Sequence, residues 1–85
     1  MPDEVKWIDR ETVAFVRGSS HVLVWCDFEK GFFSSGRVIR VDSILEWLSA
    51  EGAPARLVTT EEKSDIIAAV TQYWRRRWRP VRIMQ

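Results

Sequence analysis

The feature of this sequence that most constrains its fold is a single amphipathic helix pattern that begins at Thr59. Thr59 and Glu62 have the capping-box spacing, in which each side chain bonds the backbone N–H of the other residue. Apolar residues then recur at three- and four-residue steps and form one stripe, with Trp78 at its margin: Ile66, Ile67, Val70, Tyr73 and Trp74. Pro80 predicts the end of the helix, because it cannot continue the hydrogen-bond ladder. One helix with one apolar stripe needs one apolar surface to pack against.

The first half of the chain carries strand patterns that supply such a surface. Thr12 to Arg17 alternates between two faces, as a half-buried strand does. Val22 to Phe28 is the strongest strand pattern, since it is β-branched and aromatic, and it is apolar on both faces over its first half. That double-sided pattern is typical of a central strand. Three further segments have strand patterns: Trp7 to Ile8, Arg37 to Val41 and Val81 to Met84.

Strands that come in a run and are followed by a helix predict an α+β fold. We expect one domain over residues 1–85, with a small antiparallel sheet of three to five strands. The long helix in the C-terminal half packs on one face of the sheet, and a short final strand follows it. The 46% hydrophobic content and the five tryptophans suit a core in a chain of 85 residues, because each buried aromatic ring removes a large apolar area from water.

Two connecting segments allow more than one conformation. Asp42 would cap a short helix over Ile44 to Leu48, or this segment continues as an extended strand; the short helix is the favoured interpretation. Residues 29–36 are expected to form a loop that carries Phe32 and Phe33. These two rings either close the end of the core, which is the favoured interpretation, or stay exposed for a partner. Residues 52–54 are expected to form a second loop.

Residue types that usually carry catalysis or bind metals are scarce. The chain has one cysteine, Cys26, and one histidine, His21, which excludes an internal disulfide and a site built from several such ligands. Cys26 lies in an apolar run, so we expect a buried free thiol, and His21 beside a turn is expected at the surface. The sequence has no Gly-rich phosphate loop, and its carboxylate pairs indicate no acid–base geometry. We therefore expect no catalytic residues, no cofactor, no metal and no enzyme activity.

Charge is distributed unevenly along the chain, although the net charge is only +1. Residues 1–70 contain eight basic and twelve acidic residues, whereas residues 71–85 contain five arginines and no acid. An acidic body suits the inhibitor of a basic enzyme, because complementary charge speeds encounter. Arginines interleaved with aromatic residues suit a protein interface or nucleic acid, or they simply complement the helix dipole and the acidic body.

No apolar stretch approaches the roughly 20 residues of a membrane-spanning helix, and the charged N-terminus lacks the apolar region of a secretory signal. We expect a cytoplasmic protein that makes no membrane contact. The final strand is a candidate for the edge of the sheet, where it could pair with a second copy of the chain, so the sequence is compatible with a monomer or a homodimer.

Three segments resemble the bacterial Immunity protein 74 family: Gly36 to Ile44 followed by Trp47, Thr59 to Ile67, and the short strand after the helix. The resemblance covers roughly residues 36–81. It implies an extended conformation for Ile44 to Leu48. It also implies a cytoplasmic antitoxin-like role, in which the protein binds a cognate toxin domain and blocks its active site or substrate. The family supplies no catalytic residues.

We therefore predict a protein-binding domain, and most specifically an immunity protein that neutralises a bacterial toxin. The alternative is a small regulator that binds nucleic acid through the arginine-rich segment. The candidate partner-binding residues are acidic, aromatic and basic: Asp27, Glu29, Asp42, Glu46, Phe32, Phe33, Arg75, Arg76, Arg79 and Arg82.

Overall fold

The computed structural model describes residues 3–30, 35–77 and 79–84, and the structural statements below refer to these residues. They form one α-helix, seven strands and a 3-10 turn over Val41–Ser43. In chain order the elements are β1 Glu4–Asp9, β2 Thr12–Arg17, β3 Ser20–Lys30, β4 Ser35–Arg40, β5 Glu46–Leu48, β6 Pro54–Leu57, α1 Thr60–Arg75 and β7 Val81–Met84. The α+β class is confirmed, with one helix in the C-terminal half and a final strand after it.

The sheet has the strand order β1-β2-β3-β4-β7, and β5 and β6 extend it beside the first part of β3. All pairs are antiparallel except β4 with β7, which is parallel. The sheet is therefore mixed and larger than the expected three to five antiparallel strands. The parallel pair arises because the chain crosses back through α1 before it enters β7, and parallel neighbours require such a crossover.

Strand β3 is central, as its double-sided apolar pattern predicts. It pairs with β2 along its first part and with β4 along its last part. Val22, Val24 and Cys26 are buried in the core. Cys26 is a buried free cysteine, as expected, and its surroundings raise the pKa of the thiol, chiefly through desolvation.

Helix α1 begins with the predicted capping box. Thr59 Oγ1 accepts the N–H of Glu62 at 3.2 Å, and Glu62 Oε1 accepts the N–H of Thr59 at 3.0 Å. The helix buries Ile66, Val70 and Trp74 against the sheet, whereas Ile67 and Tyr73 are half-buried. Trp78 lies outside the described residues.

The short helix predicted for Ile44 to Leu48 is wrong, and Asp42 caps no helix there. Asp42 lies in the 3-10 turn, and β5 follows as an extended strand. Ile44 and Trp47 are buried, Leu45 is exposed, and Glu46 and Leu48 on either side of Trp47 are half-buried. The extended form lets β5 pair with both β3 and β6, and a short helix would give up these backbone bonds.

Two expected loops are shorter than predicted. Strand β3 continues to Lys30 and β4 begins at Ser35, so much of the segment 29–36 is strand. Phe32 and Phe33 lie outside the described residues. Pro54 begins β6 rather than ending a loop, and the turn before it contains Gly52 at φ +86°, a conformation that favours glycine. The sequence pattern does not predict β6, because its residues are exposed and show no apolar alternation.

A polar network fastens the start of α1 to the sheet through Glu62. Its carboxylate accepts two bonds from the Arg56 guanidinium, at 2.8 and 2.6 Å, and one from Trp47 Nε1 at 3.1 Å. These donors, led by Arg56 and the Thr59 N–H, hold the pKa of Glu62 well below its usual range.

We expect this network to make stability depend on pH. A carboxyl group whose pKa is lowered by folding stabilises the protein above its unfolded pKa of about 4.5 and loses that contribution as the pH falls. Urea titrations at pH 6 and pH 3 should show a loss of stability in acid that is smaller in Glu62→Gln. Glu61→Gln, which changes the exposed neighbouring acid, is the matched control. Identical pH dependence in both variants would contradict the role of Glu62.

Candidate functional site

The sheet has two faces, and α1 covers one of them. Val22 and Val24 point toward α1 and join its buried residues in the core. Since successive strand residues point to opposite faces, Leu23 and Trp25 point away from the helix. Their side chains are 40% and 49% exposed. We call this surface the open face and define it by Leu23, Trp25, Asp27, Arg40 and Met84.

Trp25 lies on the open face, and two polar side chains contact its ring. Its indole Nε1 donates to Glu11 Oε2 at 3.2 Å, and its backbone N–H donates to Ser43 Oγ at 2.9 Å. The Arg40 guanidinium carbon lies 6.0 Å from the centre of the ring. The ring is therefore both oriented and accessible, so little conformational freedom remains to be lost when a partner covers it.

Arg40 joins two of the predicted acidic residues. It donates to Asp27 Oδ2 at 2.8 Å and lies 3.6 Å from Asp42 Oδ1. These carboxylates raise the pKa of Arg40, with its hydrogen bond to Asp27 as the largest cause. Three carboxylates, those of Glu11, Asp27 and Asp42, thus lie beside Trp25 or beside Arg40. We call these three residues the acidic rim of the open face.

Of the other predicted acidic and aromatic positions, the structure describes the side chain of Glu46 alone. Glu46 lies in β5 opposite Leu57 and is half-buried. Glu29 lies in β3, but its side chain is outside what the structure describes. Phe32 and Phe33 lie outside the described residues altogether.

The arginine-rich segment is divided between two places. Arg75 and Arg76 are exposed at the end of α1, and Arg79 is half-buried beyond it. Arg82 is exposed on β7 and points to the same side as Val38, its partner in β4. Since Val38 pairs with Asp27, Arg82 lies on the open face. The predicted burial of Trp74 is confirmed, so this ring belongs to the core and is not available to stack on a ligand.

Sequence reasoning missed Arg37, which is the one charged residue buried in the described core. It is 2% exposed, and its guanidinium carbon lies 3.7 Å from the centre of the Phe28 ring and 4.4 Å from that of Trp74. Its Nη1 donates to the carbonyl oxygen of Arg10 at 2.9 Å. Burial lowers the pKa of Arg37. The contacts identify it as a residue that stabilises the core.

Sequence reasoning also missed Leu23, Trp25 and Arg40 as candidate site residues. The signal that could have identified them is the number of helices available to cover the two faces of the sheet. The sequence has apolar residues on both faces of β3 but only one amphipathic helix, so one of the two faces has no helix to cover it.

The described residues contain neither a cluster of side chains that could hold a metal ion nor a membrane-spanning helix. In residues 3–30, 35–77 and 79–84, no three His, Cys, Asp or Glu side chains come together in a way that could hold a metal ion. The helix in this part of the chain is too short and too polar to span a membrane. His21 is half-buried in β3. Comparison of the chain with family models, curated proteins and solved structures finds no match.

Proposed function

We propose that this chain binds a protein partner through the open face, with Trp25 as the anchor. The observation that carries the proposal is an exposed tryptophan whose ring contacts Glu11 and Arg40 and whose backbone N–H bonds Ser43. Tryptophan and arginine dominate the binding energy of protein interfaces, and apolar neighbours such as Leu23 exclude water around them. Binding of this kind requires no catalysed reaction and no cofactor.

The charge next to Trp25 supports a basic partner. Asp27 and Asp42 flank the Arg40 guanidinium and Glu11 bonds the Trp25 indole, so a lysine or arginine of the partner would meet more acidic than basic side chains beside this ring. Ion pairs at the surface contribute little to stability, and the half-buried pair of Arg40 with Asp27 is accessible to a partner that replaces it. Complementary charge of this kind accelerates encounter more than it deepens affinity.

Within this class, the specific role that we propose is that of a cytoplasmic bacterial immunity protein. The resemblance of residues 36–81 to the Immunity protein 74 family supports it, as does the acidic rim, which suits a basic toxin domain such as a nuclease. In this role the bound chain covers the active site of the toxin domain or blocks the path of its substrate.

Co-purification tests this function. The protein encoded by the neighbouring gene is expected to remain bound to the tagged full chain at about 150 mM salt. Its association rate should fall by at least about tenfold between low and high salt, because encounter is charge-assisted. If this protein is not retained at low salt, or if it is retained but has no toxic activity that the chain suppresses, the immunity role is wrong.

A second candidate function is nucleic-acid binding through the arginine-rich segment. Arg75, Arg76 and Arg77 form no ion pair with a carboxylate among the described residues, which leaves their charge available for phosphates. A titration with single-stranded and duplex DNA and RNA at about 50 mM salt tests it, because phosphate-driven binding is strongest at low salt. A flat titration would eliminate this candidate.

A further inference from the structure

A groove separates the edge strand β1 from helix α1, on the side of the sheet opposite the open face. Its volume is about 460 Å³, which falls within the range of about 300–1,000 Å³ that is usual for binding pockets. Val5 of β1 and Ala69 and Tyr73 of α1 line it, and all three are half-buried. The groove therefore has a partly apolar floor between a strand on one side and a helix on the other.

The strand wall of the groove is open to further pairing. β1 is the first strand in the sheet order and pairs with β2 alone among the described strands. An edge strand presents a row of backbone N–H and C=O groups that another extended chain can bond. Proteins that recognise peptides by strand addition combine such an edge with neighbouring side-chain pockets. A strand beside a helix provides both.

The helix wall ends in two cations. Arg76 and Arg77 line the groove, and the Arg77 guanidinium carbon lies 3.9 Å from the centre of the Tyr73 ring. Neither arginine has a carboxylate within ion-pair distance in the part of the chain that the structure describes. Two full positive charges exceed the roughly half negative charge at a helix C-terminus, so this end of the groove favours an anion.

The acidic residues at the other end of the groove do not cancel this charge. Asp3 also lines the groove, but its two oxygens accept bonds from Arg17, each at 2.9 Å. Glu4 also lines the groove, but Val5 points toward α1, so the side chain of Glu4, one residue earlier in the strand, points to the opposite face of the sheet. The groove is thus polarised along its length, with acids near the start of β1 and two arginines at the end of α1.

We propose that this groove binds an extended segment of a partner protein that carries a carboxylate. The segment adds to β1 as a further strand, places an apolar side chain over Val5, Ala69 and Tyr73, and directs an acidic side chain toward Arg76 and Arg77. This site is separate from the open face, so it does not depend on the proposed function.

Selection from a phage-displayed library of linear decapeptides against the full chain tests the proposal. We expect the enriched peptides to alternate apolar and polar residues and to carry an acid. Their NMR footprint should cover β1 and the second half of α1. Arg76→Glu should weaken a selected peptide by about tenfold, whereas Arg75→Glu, on the same helical turn but outside the groove lining, should change its affinity by less than about threefold.

Two further arms separate strand addition from other kinds of binding. N-methylation of alternate peptide nitrogens should abolish binding, because it removes the donors that pair with β1. Trp25→Ser should leave peptide affinity unchanged, so a failure of the open face as a binding site would not affect this result. The proposal is overturned if no peptide is enriched, if Arg76→Glu binds the peptide equally well, or if N-methylated peptides still bind. It is also overturned if sedimentation shows that the chain forms a dimer and the NMR footprint places β1 at the dimer interface.

Discussion

Replacing Trp74 with alanine is expected to lower the free energy of unfolding by about 3–5 kcal/mol. Trp74 is 1% exposed and makes edge contacts with Trp7 and Tyr73, with ring centres 5.7 and 5.1 Å apart. Its Nε1 donates to Cys26 Sγ at 3.4 Å, and the Arg37 guanidinium lies over its ring. The truncation therefore leaves a cavity where α1 meets the sheet.

This loss is large for such a small domain. The free energy of unfolding of native proteins is about 5–15 kcal/mol, so Trp74→Ala should bring the protein close to the limit of stability. Urea denaturation followed by circular dichroism measures the change. Trp25→Ala is the matched control, since it removes the same ring from an exposed position and should cost no more than about 1 kcal/mol. Equal losses in both variants would contradict the assignment of Trp25 to the surface.

Arg37→Ala is expected to cost about 3 kcal/mol, chiefly through lost packing. The guanidinium fills the space between the Phe28 and Trp74 rings, and truncation leaves both rings without a neighbour on one side. Arg37→Met keeps most of the volume and removes the charge. Because the cost of burying a cation without a carboxylate largely offsets the attraction of the rings, Arg37→Met should lie within about 1 kcal/mol of the wild type.

Thermal and urea denaturation of the two Arg37 variants distinguish packing from charge. A large loss in Arg37→Ala with a small change in Arg37→Met is the result expected if packing dominates. Equal and large losses would show that the cation itself stabilises the core, through the rings and through the carbonyl oxygen of Arg10. Little change in Arg37→Ala would mean that the site between the rings collapses without cost.

Local signals are sufficient to predict α1 and the central strands. The capping box at Thr59 and Glu62 involves residues three apart, so its geometry does not depend on the rest of the fold. The strand pattern of Val22 to Phe28 is equally informative, because β-branched and aromatic residues favour a strand at almost every position in it. These are the elements in which local sequence and tertiary packing favour the same conformation.

The conformation of Ile44 to Leu48 cannot be decided locally. Its apolar residues fit either a short helix or a strand, and the choice depends on pairing with β3 and β6. Strand β6 has exposed residues and begins at Pro54, so nothing in its own pattern indicates that it pairs. The parallel position of β7 likewise depends on the path of the chain across the sheet, which no local pattern records.

The candidate site is only partly predictable for a similar reason. The charge of Asp27 and Asp42 makes them candidates, and the structure brings both to Arg40. The sequence places Trp25 in a strand with apolar residues on both faces, but this apolar character alone does not reveal which face the single helix covers. The number of layers available to cover the sheet, rather than the hydrophobicity of Trp25, determines its exposure.

The affinity of the retained partner for Trp25→Ser tests the central claim most directly. Ile83→Ser is the matched control, since Ile83 is similarly exposed but lies in line with the buried Ile39, on the other side of the sheet. Calorimetric titration should show a loss of at least about 30-fold for Trp25→Ser, as expected of an interface anchor, and less than about threefold for Ile83→Ser. Equal affinity of Trp25→Ser and the wild type would contradict binding through the open face.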